Sequence, residues 1–399
     1  VLAAYRDLFA LPGARWFTGA GVLGRLSRPM FALGVLTMVS ETTGRYGLAG
    51  TLTAALQLST AAIGPQISRF VDRYGQRRVL RPAAAVTVAA AGALLLCFHL
   101  GAPDWSLFVC AVPVGTMPSV GAMTRARWTA VCGNSPQLLH TAYALESVLD
   151  EAAFIVAPLF SIELSALWFP TAGPLWALGF LIVGVLMLTV RHAVEPPPHP
   201  RRSHREPALN SFGLRVLVAT CLGTGIVFGG IEVATVASAR SLGDQSAAGQ
   251  MLAAFALGAC VSSSAFGLLR TAGEPTGRLP FAAAVMISGM IPMQLTHSLA
   301  ALTAALLIAG AAVAPVSVTT KAAVVRVVPR GRLAESLTWA TAGVALGCAL
   351  GASVSGFVVD ATGAAVGYEV PGAAGAVTAA VAFLGGRRLH ARLVARHRV

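Results

Sequence analysis

Charge is scarce in this sequence. Only 11% of its 399 residues are Asp, Glu, Lys or Arg, against about a quarter in a soluble globular domain. A chain so poor in charge cannot cover its own surface in water, which excludes an ordinary soluble enzyme or binding module. Lysine is nearly missing: Lys321 is the one lysine among 29 basic residues, a bias that points to a GC-rich bacterial genome. Val1 in place of Met points the same way, as the literal reading of a GTG start. The six cysteines (Cys97, Cys110, Cys132, Cys221, Cys260 and Cys348) are scattered through apolar segments without C-x-x-C spacing. Neither a disulfide framework nor a thiolate metal site is expected from them; they read as small packing residues. No H-E-x-x-H, Gly-rich phosphate loop or nucleophile elbow occurs, which removes the common catalytic constellations. The alternation of an outer-membrane barrel is missing too. No polar segment is long enough for a separate catalytic or sensing domain.

What is present is apolar. Hydrophobic residues make up 56% of the chain and the mean hydropathy is +0.72. Apolar runs of about 20 residues match the thickness of a bilayer's hydrocarbon core, and backbone satisfaction at that depth requires helices. Runs fall near 17–40, 46–68, 80–100, 105–124, 138–162 and 167–190, then near 212–238, 247–269, 279–297, 299–320, 334–358 and 366–386. The expected fold is therefore an all-α membrane protein of twelve spans. A six-helix half over 1–190 and another over 212–399, ending in a basic tail, are joined by a linker at 191–211. That linker holds Pro196-Pro197-Pro198, Pro200 and Arg201-Arg202 and cannot continue a helix. Arg6, Asp7 and Arg15 precede a full-length first run, so no cleavable signal peptide is expected.

The net charge of +13 would ordinarily suggest nucleic acid. Its placement argues against that partner. With the N-terminus in the cytoplasm, only Arg45 and Arg240 fall in outward loops, and only Arg25 and Arg28 fall inside a span. The other basic residues lie on the cytoplasmic side, which fixes an even number of spans with both termini inside. They are topogenic and suited to anionic lipid heads.

The loop between the second and third runs reads Ser68-Arg69-Phe70-Val71-Asp72-Arg73-Tyr74-Gly75-Gln76-Arg77-Arg78-Val79-Leu80. It resembles the signature of the major facilitator superfamily, in which a small residue precedes D-R-x-G and a basic cluster. Ser68 stands where Gly is usual and Gln76 where a basic residue is usual. Together with the six-linker-six arrangement, the resemblance spans essentially the whole chain and implies a secondary transporter. Gly75 suits a tight turn, and Ser68 is small enough for close helix approach. Asp72 stands at a helix end, within sequence reach of Arg73, Arg77 and Arg78 or of Arg125 and Arg127 at the end of the fourth run. Such a cluster would latch the cytoplasmic face; the alternative is a loop that only fixes topology. The equivalent second-half loop, Gly267–Pro280, keeps Arg270, Gly273, Gly277 and Arg278 but no Asp.

Exporters of that superfamily carry a Gly-rich fifth-span motif ending in Gly-Pro. This chain has Ala144, Ala153, Ala157-Pro158 and Ser161 at the matching spacings. Small residues are kept and Gly is not, which favours export over uptake. Gly343, Gly347 and Gly351 recur every four residues in the eleventh run, a face suited to close helix packing.

Ionisable groups at membrane depth are functional candidates. They are Arg25 and Arg28 in the first span, Glu146, Asp150 and Glu151 in the fifth, and Glu232 in the seventh. At 1.5 Å per residue, Arg25 and Glu146 both lie roughly 12 Å in from the cytoplasmic side, and Arg28 and Asp150 roughly 17–18 Å. Pairs Arg25–Glu146 and Arg28–Asp150, or the crossed pairs, are expected. Three acids against two arginines leave one carboxylate in excess, and Asp150 or Glu151 is the proton-carrier candidate. A static cluster or a substrate-cation site is the alternative use of the same charges. Glu232 follows Gly225, Gly229 and Gly230 and sits roughly 30 Å along its span, placed for an outer gate or for simple interfacial exposure. His99 and His297 occupy equivalent outer ends without metal-ligand spacing.

The expectation is a proton-coupled exporter of a small amphipathic drug or metabolite, driven by the proton gradient without a bound cofactor or metal. It would work as a monomer in the cytoplasmic membrane. Uptake of a sugar, organic acid or other nutrient is the alternative; the few glutamines within spans (Gln57, Gln66, Gln250, Gln294) count against sugar. A membrane enzyme or a non-transporting sensor is the alternative of another class.

Overall fold

The computed structural model describes residues 2–132, 135–190, 195, 212–268, 275–296, 298–327 and 333–396. Apart from Glu195 the linker lies outside these, as do Arg270, Gly273 and His297. The described residues form fourteen α-helices and a short 3₁₀ turn. In chain order they are α1 (Leu2–Ala10), α2 (Ala14–Thr43), α3 (Tyr46–Tyr74), α4 (Gln76–His99), α5 (Asp104–Val114), α6 (Val120–Cys132) and α7 (Pro136–Leu167). Then follow α8 (Ala172–Val190), α9 (Phe212–Ser241), α10 (Ala247–Leu268), α11 (Pro275–Leu295), α12 (Leu299–Val327), α13 (Leu333–Thr362) and α14 (Glu369–Arg396).

Among the described residues nine helices are long and apolar enough to cross a bilayer: α2, α4 and α8 to α14. Polarity and length explain the rest. α3 carries Thr51, Thr53, Gln57 and Gln66 before its charged end, and α7 carries Glu146, Asp150 and Glu151. The apolar run at 105–124, expected as one continuous span, is instead two helices separated at 115–119. Pro118 has no amide to donate and disfavours a helical Met117, while Pro113 already weakens the turn before it. The chain crosses the gap with i to i−3 bonds, from the amides of Gly115, Thr116 and Met117 to the carbonyls of Val112, Pro113 and Val114 (3.1, 3.0 and 2.9 Å). The short helix α1, not expected from the sequence, precedes α2 and buries Leu8.

By internal contacts the chain falls into two compact units, residues 1–38 with 58–203 and residues 39–57 with 204–399. In the first, α4 packs on α5 and α8, and α7 packs on α6 and α8. Phe17 meets Trp128 edge-on at 4.6 Å in its core. Ala153, Ala157 and Ser161, one turn apart on α7, are buried, and the Ser161 hydroxyl donates to the Met30 carbonyl of α2 at 2.9 Å. The small residues of the fifth-span motif thus let α2 and α7 approach closely; Ala144, by contrast, is exposed. Gly75 forms the whole turn between α3 and α4, at φ 90°, a left-handed value that favours glycine.

In the second unit α9 packs on α13 and α14, α10 on α12, and α11 on α12 and α14. Leu214, Leu217, Leu279, Ala283, Val324 and Ala382 lie in its core. The small face of α13 meets a matching face of α9: a side chain at Gly347 would strike the Leu222 carbonyl, and one at Gly225 the Val344 carbonyl. Without a hydrophobic effect between helices in lipid, such close backbone contact is what holds them. α10 starts where Asp244 accepts the Ser246 hydroxyl at 2.6 Å and the Ala247 amide at 3.3 Å. Those hydrogen bonds hold the Asp244 carboxyl below the usual range.

Trp105 and Trp168 are exposed by 67% and 61%, at the start of α5 and just after α7.

Candidate functional site

Charges from three helices meet inside the first unit. α7 presents Glu146 and Asp150 one turn apart, α2 presents Arg25, and α6 presents Thr124, Arg125 and Trp128. Glu146 and Arg25 are almost fully buried, and the Arg25 Nη2 to Glu146 Oε2 distance is 2.5 Å. The same oxygen accepts the Thr124 hydroxyl at 2.7 Å, and Oε1 accepts the Trp128 indole N–H at 2.9 Å. Arg25 also donates to Thr124 Oγ1 at 3.1 Å and to the Glu146 carbonyl at 3.3 Å. A carboxylate that holds three donors from three side chains fixes three helices to one another.

Asp150 differs. Its side chain is 33% exposed, lies 3.5 Å from Arg25 and pairs with Arg125. It is the more exposed of the two paired acids, and two arginines hold it. Glu151 lies about 100° further round α7 and is half-buried. Arg25 therefore bridges both acids, combining one of the expected pairs with one of the crossed pairs. The pair Arg28–Asp150 does not form. Arg28 is exposed and donates instead to the Met117 carbonyl at 3.3 Å, because the break in the fourth span presents an acceptor at its depth. α6 brings Arg125 to Asp150 in its place.

Arg125 and Arg127 thus do not reach Asp72. Arg127 is buried and donates to the Gln76 side-chain oxygen at 2.8 Å, while the Gln76 amide donates to the Met123 carbonyl at 3.2 Å. Gln76, the departure from the family pattern, is the group that ties the α3–α4 turn to α6. Asp72, Arg73, Arg77 and Arg78 are exposed; Arg73 lies over the Tyr74 ring at 5.2 Å, and the Arg77 amide donates to Glu195 at 3.1 Å. Ser68 is half-buried and Arg69 donates to Gln66 at 3.2 Å. Glu232 is half-buried on α9, one residue beyond Ile231 and three beyond Gly229.

Thr124, Trp128, Met117 and Gln76 were not legible as site residues. A buried indole needs an acceptor for its N–H, and Trp128 at the end of an apolar run was the available signal. The Met117 carbonyl had only the Pro113 and Pro118 spacing to announce it.

The sequence profile of the Major Facilitator Superfamily matches residues 17–269. The chain belongs to that superfamily of membrane transporters. Among curated proteins none matches it in sequence. Solved structures similar to it include the nucleoside transporter NupG, with 14% identity and TM-score 0.70 over 94% of this chain and 99% of that one. A bacterial homologue of the iron transporter ferroportin in an inward-facing state has 14% identity and TM-score 0.69 over 93% and 98%. The human organic anion transporter MFSD10 has 15% identity and TM-score 0.63 over 93% and 99%. These likenesses establish the fold, and the chain is a multi-pass membrane protein of transporter type.

Proposed function

We propose that the chain is a proton-coupled exporter of a small amphipathic molecule, with Asp150 as the proton-exchanging group. The observation that carries this reading is the contrast between two acids one turn apart. Glu146 is fully buried and holds three side-chain donors, whereas Asp150 is a third exposed and pairs with Arg25 and Arg125. A change in the distance of Arg25 or Arg125 would move a proton on or off Asp150. Glu151 is the second carrier to test, and Glu232 is a third acid at membrane depth. The small, buried face of Ala153, Ala157 and Ser161 supports export rather than uptake.

The nine apolar helices would be completed to twelve spans by α3, by α5 and α6 together, and by α7, with α1 outside the count. They would form two six-helix halves joined by a cytoplasmic linker, rocking to expose the pathway to each side in turn. The placement of arginines favours cytoplasmic termini in a bacterial cytoplasmic membrane. The chain would act as a monomer, without nucleic acid, metal or cofactor. The stretch from Ser68 to Arg78 would gate the cytoplasmic face through Asp72.

Inverted vesicles from overexpressing cells, energised with an inside-acid pH gradient and offered lipophilic compounds, test the direction. Accumulation that collapses with a protonophore supports export. Accumulation of a sugar or organic acid by whole cells instead, with none in inverted vesicles, replaces it with uptake.

A further inference from the structure

Arg28 stands at the middle of α2, and the break at 115–119 stands at the middle of the stretch that α5 and α6 cover. The two meet at one hydrogen bond, from the Arg28 guanidinium to the Met117 carbonyl at 3.3 Å. Among the described residues this is the only hydrogen bond that Arg28 makes, and it makes no ion pair. The carboxylates of the α7 cluster pair with other arginines: Glu146 with Arg25, and Asp150 with Arg25 and Arg125.

An arginine at mid-membrane is costly unless it is paired or hydrated, and Arg28 is exposed. It does not point into lipid, because its partner Met117 is buried and lies against Ser27 of the same helix, with the Ser27 hydroxyl 4.0 Å from the Met117 sulfur. Non-helical backbone at this depth survives only where protein buries it or where it lines a watery cavity. A broken span at mid-membrane is also a recurring way to build a substrate site. The Met117 carbonyl takes one N–H of the guanidinium, whose other donors have no partner among the described residues. A planar, permanently charged fork with unfilled donors matches a carboxylate in bidentate fashion.

We propose that Arg28, oriented by the Met117 carbonyl, is an anion-binding subsite, and that the transported molecule is an amphipathic carboxylate whose acid group seats there. This rests on the reading of the chain as a transporter, and it names the substrate class.

The test uses the purified full-length protein in detergent and a panel of matched triplets: a carboxylate (benzoate, 2-naphthoate, decanoate), its neutral amide and the corresponding amine. Binding is read by thermal shift and by tryptophan fluorescence. At least one carboxylate should bind about tenfold or more tightly than its amide, since the fork's ionic contact is lost in the amide. Arg28→Gln should remove that preference, and Arg28→Lys, which keeps charge without the fork, should retain part of it. Circular dichroism and size-exclusion profiles of both variants show whether they fold, and the Lys variant keeps the test open should the Gln variant fail to. No preference for any carboxylate, a preference for the amine, or unchanged preference in Arg28→Gln overturns the proposal. Transport of a neutral or cationic cargo by folded Arg28→Gln at the wild-type rate would also sink the subsite while leaving the transporter reading intact. Carboxylate binding without any transport would do the reverse.

Discussion

Asp360, in the last turn of α13, accepts hydrogen bonds from the main-chain amides of both Tyr46 and Gly47, each at 2.7 Å. These amides open α3 and have no partner within their own helix. The carboxylate meets the positive end of α3, where an anion is favoured. The same turn is held from α9, where Arg240 donates to the Ser40 carbonyl at 2.6 Å. The α2–α3 turn is thereby fastened to α9 and α13. Asp360→Ala should weaken this cap by about 1 kcal/mol. Hydrogen exchange at Tyr46 and Gly47 should then accelerate roughly fivefold, measured by mass spectrometry; unchanged exchange would remove the cap from the account.

Gln76 and Arg127 give a charge test. Gln76→Arg restores the basic residue usual in the family loop, but sets two cations against each other in a buried site. It should lower yield and melting temperature. The double variant Gln76→Arg, Arg127→Gln re-forms the hydrogen bond in reverse and should recover most of the loss. Equal destabilisation in the single and double variants would show that the bond matters little.

Arg25 and Glu146 should behave as a structural pair. Removing one partner of a buried ion pair costs about 3–5 kcal/mol, so Glu146→Leu should fold poorly. Arg25→Met with Glu146→Leu removes both charges and should regain much of the stability, as replacement of buried pairs by apolar groups often does. Thermal melts in one detergent compare the three proteins. A double variant no better than the single one would mean that Glu146 does more than neutralise Arg25.

The α9–α13 seam sets a steric prediction. Gly347→Val has no room beside the Leu222 carbonyl and should abolish folded protein. Gly92→Ala, in α4 with open space around it, should be neutral or stabilising by about 0.5–1 kcal/mol. Expression and monodispersity of the two variants settle the matter. A well-folded Gly347→Val would show that the seam yields.

Much of the fold was legible because bilayer thickness writes itself into the length of apolar runs. The runs over the second half correspond to helices α9 to α14. The Gly75 turn and the close-packing face of α13 were readable from glycine alone, whereas its partner α9 was not. The fourth span was misread because hydropathy averages over a window and Pro118 is itself apolar enough not to interrupt it. The site was half legible. Depth counting brings Arg25 to Glu146, since the count runs along both helices from the same expected side at the same rise per residue. It gave Arg28 the wrong partner, because depth says nothing of azimuth and the break at 115–119 changes which acceptor lies nearest. Asp72 reached neither Arg125 nor Arg127 for the same reason: side-chain direction around α6 decides those contacts, and one sequence does not carry it.

Proton movement through purified protein in proteoliposomes tests the central claim most directly, with a pH-sensitive dye inside and a transported compound added outside. Wild type is compared with Asp150→Asn, Glu151→Gln and Glu146→Gln at equal incorporation. Substrate should drive proton movement in wild type, and Asp150→Asn should abolish it while substrate exchange down its own gradient continues. If Glu151→Gln has that effect and Asp150→Asn does not, the carrier is its neighbour. Substrate movement with no proton movement, or proton movement intact in both variants, would contradict coupling at this cluster.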